Sequence, residues 1–92
     1  IYIVSLMEIN SLVKILKEKL TKKIKINNII IEDKSFLHKK HKNFDKNKFH
    51  IKLTIESSEL KKISLIEANR KIYDVLKDEM NRRIHSLQII IV

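Results

Sequence analysis

The chain has 92 residues, a formal net charge of +9, and no cysteine, glycine or proline. A chain of this length is one domain, or part of one, and buries roughly two-thirds of its unfolded surface, which is enough for a core without disulfide bonds. Without cysteine there is no disulfide framework, no thiolate nucleophile and no CxxC metal or redox motif. We expect a reducing, cytoplasmic compartment and no membrane partner. No apolar run reaches the length of a membrane span.

The positive charge permits nucleic acid, an anionic membrane or an acidic protein as a partner. Only three of the 20 basic residues are arginine, the side chain best suited to bidentate recognition of bases and phosphates. Lysine and isoleucine are the two commonest residues, as they would be in the product of an AT-rich genome. A solvated, lysine-rich surface therefore explains the charge more simply than a dedicated nucleic-acid site does.

The first helix is predicted over residues 8–20, where apolar residues recur at helical spacing and form one stripe. The segment before it, IYIVSL, is apolar but short and lacks the basic residues that begin a signal peptide. We expect residues 1–7 to be an N-terminal extension that is disordered or loosely attached, with an added strand as the alternative. Residues 8–92 are then the domain.

Two strands are predicted next. The first covers residues 26–33, and a polar loop of about fourteen residues follows it and carries His38 and His41; loops of that length in compact domains are often functional or mobile. The second strand covers residues 49–56, because apolar and polar residues alternate there. On this pattern His50 faces solvent among lysines, and we assign it no role.

The next segment is predicted to be helical. A turn or short helix over residues 57–63 precedes a long helix. Ser64 and Glu67 match a capping box, in which each side chain binds a free backbone amide of the other, an arrangement worth about 1 kcal/mol. Further along the helix, Glu79 can reach Arg83, four residues on, and we expect this pair on the outer face.

At His85 the hydrophobic period changes from that of a helix to that of a strand. Leu87, Ile89 and Ile91 alternate along one face, and Ile90 makes the other face apolar as well. A strand that is apolar on both faces belongs inside a sheet rather than at its edge. His85 is therefore predicted to lie where a buried strand meets solvent.

The element order is α-β-β-α-α-β, which predicts an α+β fold with a three-stranded mixed sheet and helices packed on one face. The loop makes the first two strands antiparallel, and the helical connection makes the second and third parallel. The third strand then starts at the end of the sheet where the first finishes. His38, His41 and His85 are therefore expected to lie together at this end of the sheet.

Three histidines at one end of the sheet suggest a metal site, because neutral imidazole is a common ligand for zinc, copper and iron. There is an alternative to a metal site. The loop histidines would then lie on the surface, and His85 would only donate a hydrogen bond at the rim of the core. An enzyme is disfavoured, since no nucleophile elbow or glycine-supported oxyanion loop accompanies any serine. A phosphate-binding loop is equally unsupported without glycine.

Four segments of the sequence resemble the BolA-like protein family, and the resemblance runs from Glu8 to Ile91. They are an acidic-x-Ser segment before the variable loop, a Phe-led second strand that ends in serine, a signature helix with its capping serine, and a His-x-Leu that opens the last strand. In this chain they read EDKS at 32–35, FHIKLTIES at 49–57, SLIEANRKIYDVLKDE at 64–79 and IHSL at 84–87.

The resemblance implies a fold similar to the class II KH domain and partnership with a monothiol glutaredoxin, with which the family shares a [2Fe–2S] cluster in iron–sulfur assembly. The family's C-terminal histidine, here His85, is a cluster ligand. A loop histidine or cysteine supplies the second ligand; His38 matches best, and His41 is the substitute. Cysteine and glutathione thiolates come from the glutaredoxin side. We expect a monomer without cofactor that forms a heterodimer with its partner.

The resemblance also implies DNA binding as a transcriptional regulator. A KH clamp depends on a GxxG loop, which a chain without glycine cannot form. Lys61, Lys62, Arg70 and Lys71 could still contact phosphates without base specificity. We therefore predict a non-enzymatic adaptor of the iron–sulfur system, with a DNA-binding regulator as the alternative.

Overall fold

A computed structural model describes the backbone of residues 2–34 and 49–92 and the side chains of residues 9–34 and 49–92. The helices and strands confirm an α+β fold with a three-stranded mixed sheet. In chain order they are α1 (Tyr2–Lys23), β1 (Asn28–Asp33), β2 (Phe49–Glu56), α2 (Ser58–Lys61), α3 (Leu65–Val75), α4 (Lys77–Arg82) and β3 (Ile84–Ile91).

Helix α1 begins at Tyr2, not at Glu8 as predicted, so residues 2–7 continue the helix. No glycine or proline interrupts this stretch, and a helix already held by its buried face extends at little cost. Leu12, Leu16 and Leu20 are fully buried, which confirms the predicted apolar stripe. The division into an extension of residues 1–7 and a domain of residues 8–92 stays a prediction. Within the described part of the chain, no helix has the length and apolar character needed to cross a membrane.

The strand directions in the sheet agree with the prediction. The strand order is β1-β2-β3; β1 and β2 are antiparallel, and β2 and β3 are parallel. The predicted place of the last strand is wrong, because β2 is central and β3 lies at an edge. Strand β2 supplies the buried centre of the sheet through Ile51, Leu53 and Ile55, whereas the apolar residues Ile89 and Ile90 of β3 are only half-buried.

The predicted long helix is divided at Leu76, whose backbone leaves the α conformation at φ −100° and ψ 16°. Hydrogen bonds of helical type continue on both sides of the break, from the Leu76 amide to the Ile72 carbonyl (3.0 Å) and from the Met80 amide to the Leu76 carbonyl (2.9 Å). At the start of α3, the Ser64 hydroxyl accepts from the Glu67 amide at 3.1 Å. The predicted serine cap is confirmed.

Glu79 does not lie on the outer face with Arg83, as predicted. It is 8% exposed, and its Oε2 lies 2.7 Å from Nζ of Lys19 on α1. Glu79 follows the buried residues Ile72 and Leu76 by seven and three positions, and these spacings place it on their face. The spacing from Ile72 and Leu76 predicts the position of Glu79 better than the possible ion pair with Arg83 does.

Candidate metal centre at the strand junction

The end of β1 and the starts of β2 and β3 meet at one end of the sheet. The amide of Lys34, just after β1, donates to the His50 carbonyl at 2.7 Å. The Phe49 amide donates to the Arg83 carbonyl, just before β3, at 2.8 Å. We call this region the strand junction. His85 lies in it, where the direction of the strands predicted it.

A break in the pairing of β2 with β3 sets the direction of the His85 side chain. Phe49 pairs with Ile84 and His50 pairs with Ser86, so the register shifts and His85 is the extra residue in β3. Such bulges re-aim one side chain of a strand. Ile84 is 1% exposed whereas His85 is exposed. His85 therefore presents its imidazole to solvent from a backbone that is anchored on both sides.

The prediction that His50 faces solvent is wrong. His50 is 5% exposed, and its Nδ1 lies 2.7 Å from Oγ of Ser86. Its ring centroid lies 4.8 Å from that of His85, with the two planes tilted by 53°. Alternation along β2 assigned His50 to the polar face, but the side chain is buried and contacts Ser86 and His85 at the start of β3. Parallel pairing of β2 and β3, which start at the same end of the sheet, indicates that His50 lies beside the start of β3, but it does not indicate which residues of β3 it contacts.

The predicted loop ligands His38 and His41 lie outside the described residues, so their contribution stays a prediction. Within residues 9–34 and 49–92, no three histidine, cysteine, aspartate or glutamate side chains are grouped so that they could hold a metal ion. The described residues contribute two imidazoles at the strand junction, those of His50 and His85. Any further ligand has to come from the loop, from solvent or from a partner.

One ion pair lies close to the strand junction. Lys34 Nζ is 3.0 Å from Glu32 Oε2 at the end of β1. The hydrogen bond from Lys34 and its positive charge lower the pKa of the Glu32 carboxyl. Because the folded pKa is the lower one, this pairing stabilises the fold above the ordinary carboxyl pKa and is lost as the pH falls through the lowered value.

The residues predicted to contact phosphate lie on the two consecutive helices α2 and α3 and at the turn between them. Lys61, Lys62, Arg70 and Lys71 are all exposed. Lys71 Nζ is 3.1 Å from Glu59 Oε2, an ion pair that joins α2 to α3. Since this pairing offsets one of the four charges, Lys61, Lys62 and Arg70 are the stronger candidates for an anionic partner.

Comparison with known proteins decides the family. Residues 20–92 match the family model described as BolA-like protein. The chain belongs to this family. It is 29% identical over 79 residues to the DNA-binding transcriptional regulator BolA of Haemophilus influenzae, covering 86% of this chain and 74% of that protein. It is 32% identical over 80 residues to SufE-like protein 1, chloroplastic/mitochondrial, of Arabidopsis thaliana, covering 82% of this chain but 22% of that protein.

Solved structures agree with this assignment to the BolA-like family. The BolA domain of SufE1 from Arabidopsis thaliana is 34% identical with a TM-score of 0.70, and the match covers 83% of this chain and 84% of that one. BolA1 from the same plant is 28% identical with a TM-score of 0.69 and the same coverage. A bol-like protein from Babesia bovis, 16% identical with a TM-score of 0.67 over 86% of this chain and 80% of that one, shows the fold alone. The class II KH label stays a prediction.

Proposed function

We propose that this BolA-like protein is a non-enzymatic adaptor that binds a monothiol glutaredoxin and shares a [2Fe–2S] cluster with it. The observation that carries the proposal is the exposed imidazole of His85, which the bulge in β3 presents at the end of the sheet. The chain contains no cysteine. The thiolate ligands therefore come from the glutaredoxin and its glutathione.

The donor set at the strand junction fits one side of such a site. Histidine replaces cysteine at one iron of some [2Fe–2S] centres and raises their reduction potential. In this chain His85 provides one imidazole, and His38, with His41 as substitute, provides the other. His85 is held by the backbone pairing of its neighbours Ile84 and Ser86 with β2, so little reorganisation is needed when the partner docks.

The same proposal assigns the state of the protein without its partner. One side of a ligand set leaves a cluster half-coordinated, so the isolated protein is a monomer that holds no [2Fe–2S] cluster. The heterodimer with the glutaredoxin completes the site. A reducing compartment, the cytoplasm, suits an assembly that depends on free thiolates on the partner.

A titration into [2Fe–2S]-loaded monothiol glutaredoxin tests the proposal. We expect the wild-type protein to change the visible absorption and CD of the cluster, because imidazole nitrogen replaces thiolate sulfur at one iron. His85→Ala should remove that change. Gln88→Ala, which alters an exposed residue of the same strand, is the matched control and should keep it. An unchanged spectrum with the wild-type protein across several monothiol glutaredoxins would contradict the proposal.

DNA binding is the second candidate, favoured by the exposure of Lys61, Lys62 and Arg70 and by the name of the Haemophilus influenzae relative. The dependence of binding on salt concentration separates the two functions. Affinity for DNA should fall steeply with salt, with a log–log slope of about −0.9 for each phosphate neutralised, whereas the change in the cluster spectrum should depend on salt much less. Salt-steep DNA binding together with an unchanged cluster spectrum would favour the regulator.

A further inference from the structure

The contact between His50 and His85 has no part in the proposed function, which draws its second ligand from the loop. We propose that these two imidazoles form a binding site for a single divalent metal ion in the isolated protein. The ion is intermediate between hard and soft, such as Zn²⁺ or Co²⁺. The ligand pair is the buried His50 and the exposed His85, and the bulge in β3 brings them together.

The spacing of the two rings fits a shared ion. A Zn–N bond is about 2.0–2.1 Å, and the centre of an imidazole lies about 1.15 Å behind its nitrogen. Two imidazoles on one ion at N–Zn–N angles of about 90–110° therefore have centroids about 4.5–5.2 Å apart. The observed separation is 4.8 Å. The planes are tilted by 53°, so the rings are not stacked face to face.

The hydrogen bond to Ser86 prepares His50 for this role. Histidines that bind metal usually donate their other ring N–H to an oxygen, which fixes the tautomer and the ring orientation. Here Nδ1 of His50 lies 2.7 Å from Oγ of Ser86, and donation from Nδ1 leaves Nε2 as the nitrogen that binds the ion. Ser86 is also the backbone partner of His50 across the strands, so the sheet itself fixes this contact.

The donor set also selects the class of ion. Neutral imidazole nitrogen suits zinc, cobalt, nickel and copper, whereas magnesium and calcium require oxygen ligands. With His50 buried and His85 exposed, the ion is enclosed on one side and open on the other. The remaining coordination positions take water. The site needs no partner protein, so its failure would leave the proposed function standing.

Titration of the isolated protein with Zn²⁺ by calorimetry, and with Co²⁺ by visible absorption, tests the site. We expect one ion per chain and no binding of Mg²⁺. Ser86→Ala should weaken affinity by about tenfold, the usual effect of losing an outer-shell partner, and His50→Ala and His85→Ala should weaken it more. The matched control is Gln88→Ala, which alters an exposed residue of the same strand and should bind as the wild type does.

His50 is buried, so His50→Ala could fail to fold, and a measurement on the wild-type protein covers that case. Long-range ¹H–¹⁵N spectra should show Zn²⁺ shifting the imidazole nitrogens of both His50 and His85. A shift confined to His85 would show that the rings only touch, and would overturn the proposal. So would full Zn²⁺ affinity in a folded His50→Ala variant, or loss of affinity in Gln88→Ala.

Discussion

At the scale of single residues, two of the buried polar side chains, His50 and Glu79, each contact a partner from an element distant in sequence. His50 reads as a polar-face residue of a strand, yet it is buried beside Ser86 and His85. Glu79 reads as a surface carboxylate, yet it is buried and pairs with Lys19. A one-dimensional pattern gives the face on which a side chain lies, but the neighbours that cover this face come from elements distant in sequence.

The ion pair between Lys19 and Glu79 gives a residue-scale prediction. Lys19→Met should lower the free energy of unfolding by about 1–3 kcal/mol, because it leaves a carboxylate that is 8% exposed without its cation. Adding Glu79→Met should restore most of the loss, since two apolar groups then replace the charges. Urea denaturation measures both values. The control is Lys14→Met on the exposed side of α1, which should change stability by less than about 0.5 kcal/mol. Equal losses at Lys14 and Lys19 would contradict the account.

At the scale of elements, periodicity located the helices and strands and gave both ends of β2, but it missed the start of α1 and the order of the strands. The apolar residues of β3 suggested a central strand, whereas this strand lies at the edge and packs one face on the core. In a sequence so rich in isoleucine, apolar character on both faces of a strand does not mark its burial. Strand order is decided by tertiary pairing, which local pattern does not encode.

Two serine caps allow an element-scale test. Ser57 is fully buried; its hydroxyl accepts from the Leu60 amide at 3.2 Å and donates to the Lys25 carbonyl at 2.8 Å. It therefore caps α2 and ties it to the connection between α1 and β1. Ser57→Ala should cost about 2 kcal/mol, because the Lys25 carbonyl also loses its donor in a part-buried contact.

Ser64, the exposed cap of α3, is the matched control for Ser57. Its hydroxyl makes the cap contact to the Glu67 amide. Ser64→Ala should therefore cost about 1 kcal/mol or less. Urea denaturation of both variants gives the comparison. A cost at Ser64 that equals or exceeds the cost at Ser57 would show that the hydrogen bond from Ser57 to the Lys25 carbonyl adds nothing.

At the scale of the whole molecule, the fold class and the end of the sheet at which His85 lies followed from the sequence. Connection types fixed the strand directions, and these directions placed the end of β1 and the start of β3 together. The family resemblance singled out His85. It did not reveal the His50–His85 pair, because that contact depends on a one-residue register shift between β2 and β3. A shift of this kind is set by packing and not by local sequence.

Ligation of the cluster by an imidazole of this protein is tested most directly by pulsed EPR of the reduced complex with monothiol glutaredoxin. Only this protein would carry ¹⁵N-labelled histidine. We expect a strong hyperfine coupling to ¹⁵N in the wild-type complex, and we expect His85→Ala to remove the coupling due to His85. A reduced cluster bound in the complex without any strong ¹⁵N coupling would show that all ligands come from the glutaredoxin side and would contradict the adaptor mechanism.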